Sequence, residues 1–158
     1  MERNIVGYGA KGPTGRWPNG ARLAVSLCLN YEEGSERGHS LGDPDQESST
    51  ELGNYPMPQG IRDLAMESMY EYGSRVGIWR VLDIFQQTEV KCTFYACAVA
   101  FEKNPDVARA AVQAGHDIVA HGYRWEEVFR LSEDEERARI AGRRQVSCKF
   151  HALRFASR

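Results

Sequence analysis

An α/β fold of parallel βα units is the architecture this sequence predicts, on three observations. An apolar run from Ala21 to Leu29 reads as a buried strand and ends in the polar stretch Asn30-Tyr31-Glu32-Glu33-Gly34. Strand-like and helix-like periodicities then alternate as strand, helix, strand, helix, strand, the order of parallel βα units. Ligands of such sheets bind beyond the carboxyl ends of the strands, and Glu32, Glu33 and His121 all fall at those ends.

Each element has a local cause. Residues 1–20 carry Gly7, Gly9, Gly12, Pro13, Gly15, Pro18 and Gly20, too many breakers for a regular element, and read as an arm over a domain surface. From Arg22 to Leu29, Leu23, Val25 and Leu27 take one side and Ala24, Ser26 and Cys28 the other, as in a central strand covered on both faces. Residues 34–60, rich in Gly, Ser, Asp, Glu and Pro, read as a structureless active-site loop or lid. Val76, Trp79, Val81, Leu82, Ile84 and Phe85 recur at helical spacing and predict an amphipathic helix over Ser74 to Gln87. Lys91 to Val99 predicts the second strand. Pro105 opens a helix through Gln113, Gly115 closes it, and Asp117 to Ala120 is the third strand. Ser132-Glu133-Asp134-Glu135 is a capping-box start for a helix to about Ala141. Beyond it, Gly142 to Arg158 contains Arg143, Arg144, Lys149, Arg154 and Arg158 and no acid. The domain reading is therefore an arm (1–20), an α/β domain (21–141) and a divergent basic tail (142–158).

Composition narrows the function. A chain of 158 residues has the length of one ordinary domain, and 42% hydrophobic with 27% charged residues argues against disorder. With 20 basic and 22 acidic side chains the net charge is −2, so nothing electrostatic favours nucleic acid or an anionic membrane. Cys28, Cys92, Cys97 and Cys148 lack the spacing of a zinc ribbon and read as reduced core residues. No segment reaches the roughly 18 apolar residues of a membrane span, and the N-terminus lacks an apolar signal core, so a cytoplasmic location is expected.

The adjacent carboxylates Glu32 and Glu33 suit a division of labour. Side chains alternate along a strand, so one glutamate can act as base while the other orients water or metal, and their proximity raises one pKa. A Glu-Glu pair at a loop start is also a common solvated surface feature. His121 could bind metal, hydrogen-bond substrate or shuttle a proton. Gly122 offers a backbone turn, and Trp125 either stacks on a planar substrate or packs as a plug.

Three blocks together carry a family resemblance: Asn30-Tyr31-Glu32-Glu33-Gly34, Met66-Glu67-Ser68-Met69-Tyr70-Glu71-Tyr72-Gly73-Ser74-Arg75-Val76-Gly77-Ile78-Trp79-Arg80, and His121-Gly122-Tyr123-Arg124-Trp125. With Val6-Gly7-Tyr8-Gly9 and Trp17-Pro18-Asn19-Gly20-Ala21-Arg22, they resemble the allantoinase-like branch of the polysaccharide deacetylase superfamily over residues 4 to about 141. The resemblance implies a distorted (β/α) barrel, here its N-terminal part only, because the later motifs of the family do not follow Ala141. A truncated relative is expected on that ground, with sheet edges and apolar faces left uncovered.

The resemblance also implies a site. Sugar-deacetylating members use Thr-Phe-Asp-Asp, its first Asp a base and its second a metal ligand, and Glu32 and Glu33 take those positions. Their two metal histidines come as His-Ser/Thr-x-x-His, whereas here Trp125 stands four residues after His121. The expectation is therefore no tightly held metal and no other cofactor, with Glu33 and His121 the residual ligands of any weakly bound zinc-like ion. Glu32, Glu33 and His121 are the expected catalytic residues, with Tyr31 and Trp125 contacting substrate. The implied reaction is opening of the cyclic amide of allantoin to allantoate in purine catabolism, by water attack with a carboxylate base and His121 steadying the oxyanion. The expected partners are an allantoin-like ureide and a homo-oligomer or intact paralogous subunit. Two alternatives stand beside it, a carbohydrate N-deacetylase and a non-catalytic product that needs such a partner.

Overall fold

The computed structural model describes residues 3, 5–12, 14–50, 53–55 and 57–151, and the side chains of all of these except 49, 50, 54 and 147–151. Residues 152–158 of the basic tail and the side chain of Cys148 lie outside the described residues. Apart from single 3₁₀ turns, the order is β1 (Cys28–Tyr31), β2 (Ser49–Thr50), β3 (Gly53–Asn54), α1 (Leu64–Tyr72), a π-helical segment (Gly73–Gly77), α2 (Ile78–Gln87), β4 (Thr93–Ala96), α3 (Ala98–Lys103), α4 (Pro105–Gln113), β5 (Asp117–Ala120) and α5 (Glu133–His151).

The predicted α/β fold is present. The main sheet has the order β1-β4-β5 with both pairings parallel, in the register Tyr31↔Ala96↔Ala120. Side chains of one sheet face, among them Tyr31, Phe94 and Ala96, join Phe101, Val107, Ala108, Ala111 and Val112 of α3 and α4 in a single core cluster. Alternation along β4 explains this, since Phe94 and Ala96 are buried while Thr93 and Tyr95 between them are only partly so. Ile78 of α2 is buried against the same cluster, with Leu82 and Phe85 partly buried beside it.

Several sequence expectations need correction. The first strand begins at Cys28 rather than Arg22, because a ladder forms only where β4 runs alongside, and the pairing ends with the bond from Thr93 N–H to the Leu27 carbonyl at 2.9 Å. Leu23 and Val25 are consequently exposed, at 73% and 74%, rather than covered on a strand. Cys28 is exposed too, while Cys92 and Cys97 are buried and all three are free thiols. The 34–60 stretch is not structureless, since it holds a 3₁₀ turn and the antiparallel β2–β3 hairpin. The second strand stops at Ala96, and the apolar residues after it form α3. The first two N–H groups of α3 donate to the turn after β5, Ala98 to Gly122 O at 3.2 Å and Val99 to Tyr123 O at 3.0 Å, which ties the ends of β4 and β5 together.

The long helix also runs further than expected. Its start is the predicted capping box, with Glu135 accepting from Ser132 N–H at 2.8 Å and Ser132 Oγ accepting from Glu135 N–H at 3.3 Å. Gly142 does not stop it. A side chain there would meet the Tyr123 ring at 3.1 Å, so the glycine lets that ring lie on the helix, and Val146 one turn on is buried in the core. The change in composition near residue 142 therefore does not coincide with the end of an element.

α1 lay outside the predicted elements. Asp63 is its N-cap, with Oδ1 accepting from Met66 N–H at 3.0 Å, and the π-helical segment Gly73–Gly77 joins it to α2. Such insertions of one residue into a helical turn are frequent at functional sites.

Candidate functional site

The site stands at the carboxyl end of the sheet, where parallel sheets carry their ligands. β1 and β5 flank β4, so about 10 Å separates them at a strand spacing of about 4.8 Å. Two long side chains bridge that gap. Glu32, immediately after β1, places Oε1 2.7 Å from Nε2 of His121, immediately after β5. The backbone is tied beneath them, with Cys97 N–H donating to Tyr31 O at 3.2 Å and His121 N–H to Ala96 O at 2.9 Å.

The second oxygen of Glu32 accepts from the indole N–H of Trp125 at 3.1 Å. Trp125 is fixed in turn. Its ring meets Tyr70 edge-on at 5.8 Å and 90°, and its backbone N–H donates to Ser35 O at 2.9 Å. The His121 ring stands edge-on to Tyr95 at 5.9 Å. Gly122, with φ of 87°, supplies the turn that separates His121 from Trp125. Glu32, His121, Gly122 and Trp125 line an open groove of ≈ 500 Å³ together with Arg37, Glu47 and Arg124.

Glu33 goes the other way, as alternation along the chain requires. Its Oε2 accepts from Glu32 N–H at 3.1 Å, and its Oε1 lies where a side chain on Gly73 would come within 2.5 Å. The π-helical segment thus begins on the glycine against which this carboxylate rests. Burial pushes the Glu33 carboxyl up, only partly countered by the backbone N–H groups of Glu33 and Glu32. It lines a different cavity, beside Ser74 and Asn104. Glu32, not Glu33, is therefore the carboxylate that faces His121.

Tyr31 also departs from its expected place. It is 1% exposed, packed at 5.6 Å on Phe101, with its hydroxyl 2.9 Å from Ser74 Oγ. It is a core residue, because the side of β1 that carries it faces the helices. Cys97, close to Glu32, offers no nucleophile, since burial and then the Glu32 charge push its thiol up to about 12. Its Sγ–H donates to His121 O at 3.1 Å.

The loop after β1 is latched to the same groove. Arg124 donates to Asp43 Oδ2 at 2.7 Å and to Glu36 O at 3.1 Å. Burial raises the Asp43 carboxyl, but the bonds from Arg124 and Gly38 N–H and the charges of Arg124 and Arg37 outweigh it and hold the group below its ordinary value. Arg124 was visible within the His121–Trp125 block, whereas Asp43, an acid in a polar loop, carried no pattern.

The described residues after β1 and β5 do not by themselves reproduce the divalent-metal ligand set that the resemblance brings to mind. The indole nitrogen of Trp125 has no free lone pair and is engaged as a donor to Glu32, and Glu33 is turned away from His121. Among the described residues no group of three or more His, Cys, Asp or Glu converges. His121 cannot offer Nε2–H to an oxyanion while it faces Glu32, which alters the role the sequence suggested for it.

Comparison with known proteins follows the same residues. A family model described as polysaccharide deacetylase matches residues 63–149. A Schizosaccharomyces pombe (strain 972) protein named as a candidate polysaccharide deacetylase is 41% identical over 126 residues, covering 78% of this chain and 39% of that protein. The crystal structure of Puue allantoinase superimposes with a TM-score of 0.83 at 41% identity, covering 95% of this chain and 50% of that one. A probable polysaccharide deacetylase from Pseudomonas aeruginosa PAO1 gives the same TM-score of 0.83, 41% identity and the same coverage. The chain thus spans about half the length of those structures and matches the N-terminal half of their barrel. Among the described residues no helix is long and apolar enough to cross a membrane.

Proposed function

The chain belongs to the polysaccharide deacetylase family, and on that premise we propose that its Glu32–His121–Trp125 site hydrolyses a non-peptide C–N bond, opening the cyclic amide of allantoin to allantoate without a tightly held metal. The observation that carries this reading is the pair of donors on Glu32, from His121 at 2.7 Å and Trp125 at 3.1 Å. A carboxylate opposite Nε2 favours the tautomer with its hydrogen on Nε2, which leaves Nδ1 as the lone pair of neutral His121. In this reading His121 takes a proton from water as the water oxygen adds to the ring carbonyl carbon. Glu32 orients the imidazole and stabilises the imidazolium that forms. The same proton then passes to the ring nitrogen as its bond to carbon breaks, and the new carboxyl group loses its remaining proton to solvent, so that the product leaves as a carboxylate with an open ureido arm.

A second reading, carbohydrate N-deacetylation, is supported by the family model and by the Pseudomonas aeruginosa structure. A non-catalytic role beside a paralogous subunit is motivated by exposed Leu23, Val25 and Val119. Purified chain assayed with allantoin, and separately with N-acetylglucosamine oligomers and added zinc or cobalt, distinguishes the three. Allantoin turnover is the expected result. Acetate release dependent on added metal replaces our reading with the second, and a well-folded chain inert in both assays removes catalysis altogether.

A further inference from the structure

We propose that a cavity of ≈ 200 Å³ between α5 and residues 122–131 binds a small carboxylate that also carries amide or ureido N–H groups. The cavity is distinct from the Glu32–His121 groove but shares Gly122, Arg124, Glu126 and Val128 with its wall. The proposal rests on the reading above for one point, that the ring-opened product belongs to this chemical class.

Three guanidinium groups line the cavity, and two are already engaged. Arg139 holds both Glu126 oxygens at 2.9 Å from its Nε and lies over the Tyr123 ring at 5.4 Å. Arg124 is bonded to Asp43 and the Glu36 carbonyl through a terminal nitrogen. Arg143 has no side-chain hydrogen bond or ion pair among the described residues, and the buried Nε–H groups of Arg143 and Arg124 both lack an acceptor. Buried donors are seldom left so, and a guanidinium fork matches the two oxygens of a carboxylate.

An exposed carboxylate stands at the cavity's mouth. Glu136, two turns before Arg143 on α5, lines the rim without an ion pair to any described residue. An anion alone would meet the Glu136 charge, weakened by the water at the rim, and a cation alone would meet that of Arg143. A ligand with a carboxylate for Arg143 and N–H donors for Glu136 satisfies both, while Leu131 and Ile140 supply apolar walls.

The test is a titration of the 158-residue chain with N-carbamoylglycine, followed by the arginine Nε–H resonances and by calorimetry, with acetate, hydantoin and chloride as comparisons. Saturable binding of N-carbamoylglycine, tighter than acetate and absent for hydantoin, is expected. Arg143→Gln should weaken it about tenfold or more, and Glu136→Gln should abolish the preference over acetate. Arg143→Lys keeps the charge without the fork and should also bind weakly, which decides the matter if Arg143→Gln fails to fold. Equal effects of all the anions, or unchanged binding in both Arg143 variants, overturn the proposal. So does loss of binding in Glu32→Gln, which would put the ligand in the groove. Binding without allantoin turnover would leave this site standing and remove the reaction.

Discussion

Replacing Trp125 with Phe tests the hydrogen bond that distinguishes a working tryptophan from a packing one. An aromatic ring is kept beside Tyr70 and the 3.1 Å donor to Glu32 is lost, while the smaller ring leaves a gap whose cost a double-mutant cycle subtracts. Hydrogen bonds to charged groups contribute about 1.5–3 kcal/mol. The Glu32 side chain is 16% exposed and borders an open groove, so water recovers part of this and the lower end, about 1.5 kcal/mol, is expected. A double-mutant cycle of Trp125→Phe with Glu32→Ala, read by urea denaturation, measures the coupling directly. Distant sites add within roughly 0.3–0.5 kcal/mol. Coupling of about 1.5 kcal/mol supports the assignment, and additivity within that margin would show that Trp125 merely fills space.

Two pH profiles should move in opposite directions. The Glu33 carboxyl is raised in the folded state, so the native chain binds its proton more tightly than the unfolded one and stability falls as pH rises through that raised value; Glu33→Gln should flatten this fall and be the more stable protein at neutral pH. Asp43 is lowered, so its contribution is present above the ordinary carboxylate range and lost as pH falls through the folded value; Asp43→Asn should remove that acid sensitivity, as thermal melts across pH 3–7 would record. Ser132→Ala removes one side of the capping box and should cost about 1 kcal/mol in urea denaturation, whereas no change would mean that α5 is held by its packing alone.

What the sequence revealed depended on how locally each feature is encoded. α4, β5 and the start of α5 were legible because Pro105, Gly115 and the Ser132–Glu135 pair are local signals, and β5 is bounded by two glycines. α3 was not, since a short apolar run from Lys91 to Val99 has no period long enough to separate strand from helix. α1 could have been found from Asp63, but its apolar positions bury only Met66. The direction of each glutamate follows from alternation, yet which of them meets His121 depends on strand order, a tertiary fact. Tyr31 misled for the same reason, sitting in a motif while facing the core. Arg143 lay in a stretch read only as a divergent basic tail, and it is α5 passing Gly142 that brings it to a cavity.

The central claim, that Glu32 works with His121 and Glu33 does not, is tested most directly by kcat/KM for allantoin in Glu32→Gln and Glu33→Gln side by side. A positioned proton-transfer group contributes about 10²–10⁴-fold. We expect a loss of that size for Glu32→Gln and less than about tenfold for Glu33→Gln, each in protein shown to be folded. The reverse order would contradict the account, since it would make the carboxylate resting on Gly73 the catalytic one.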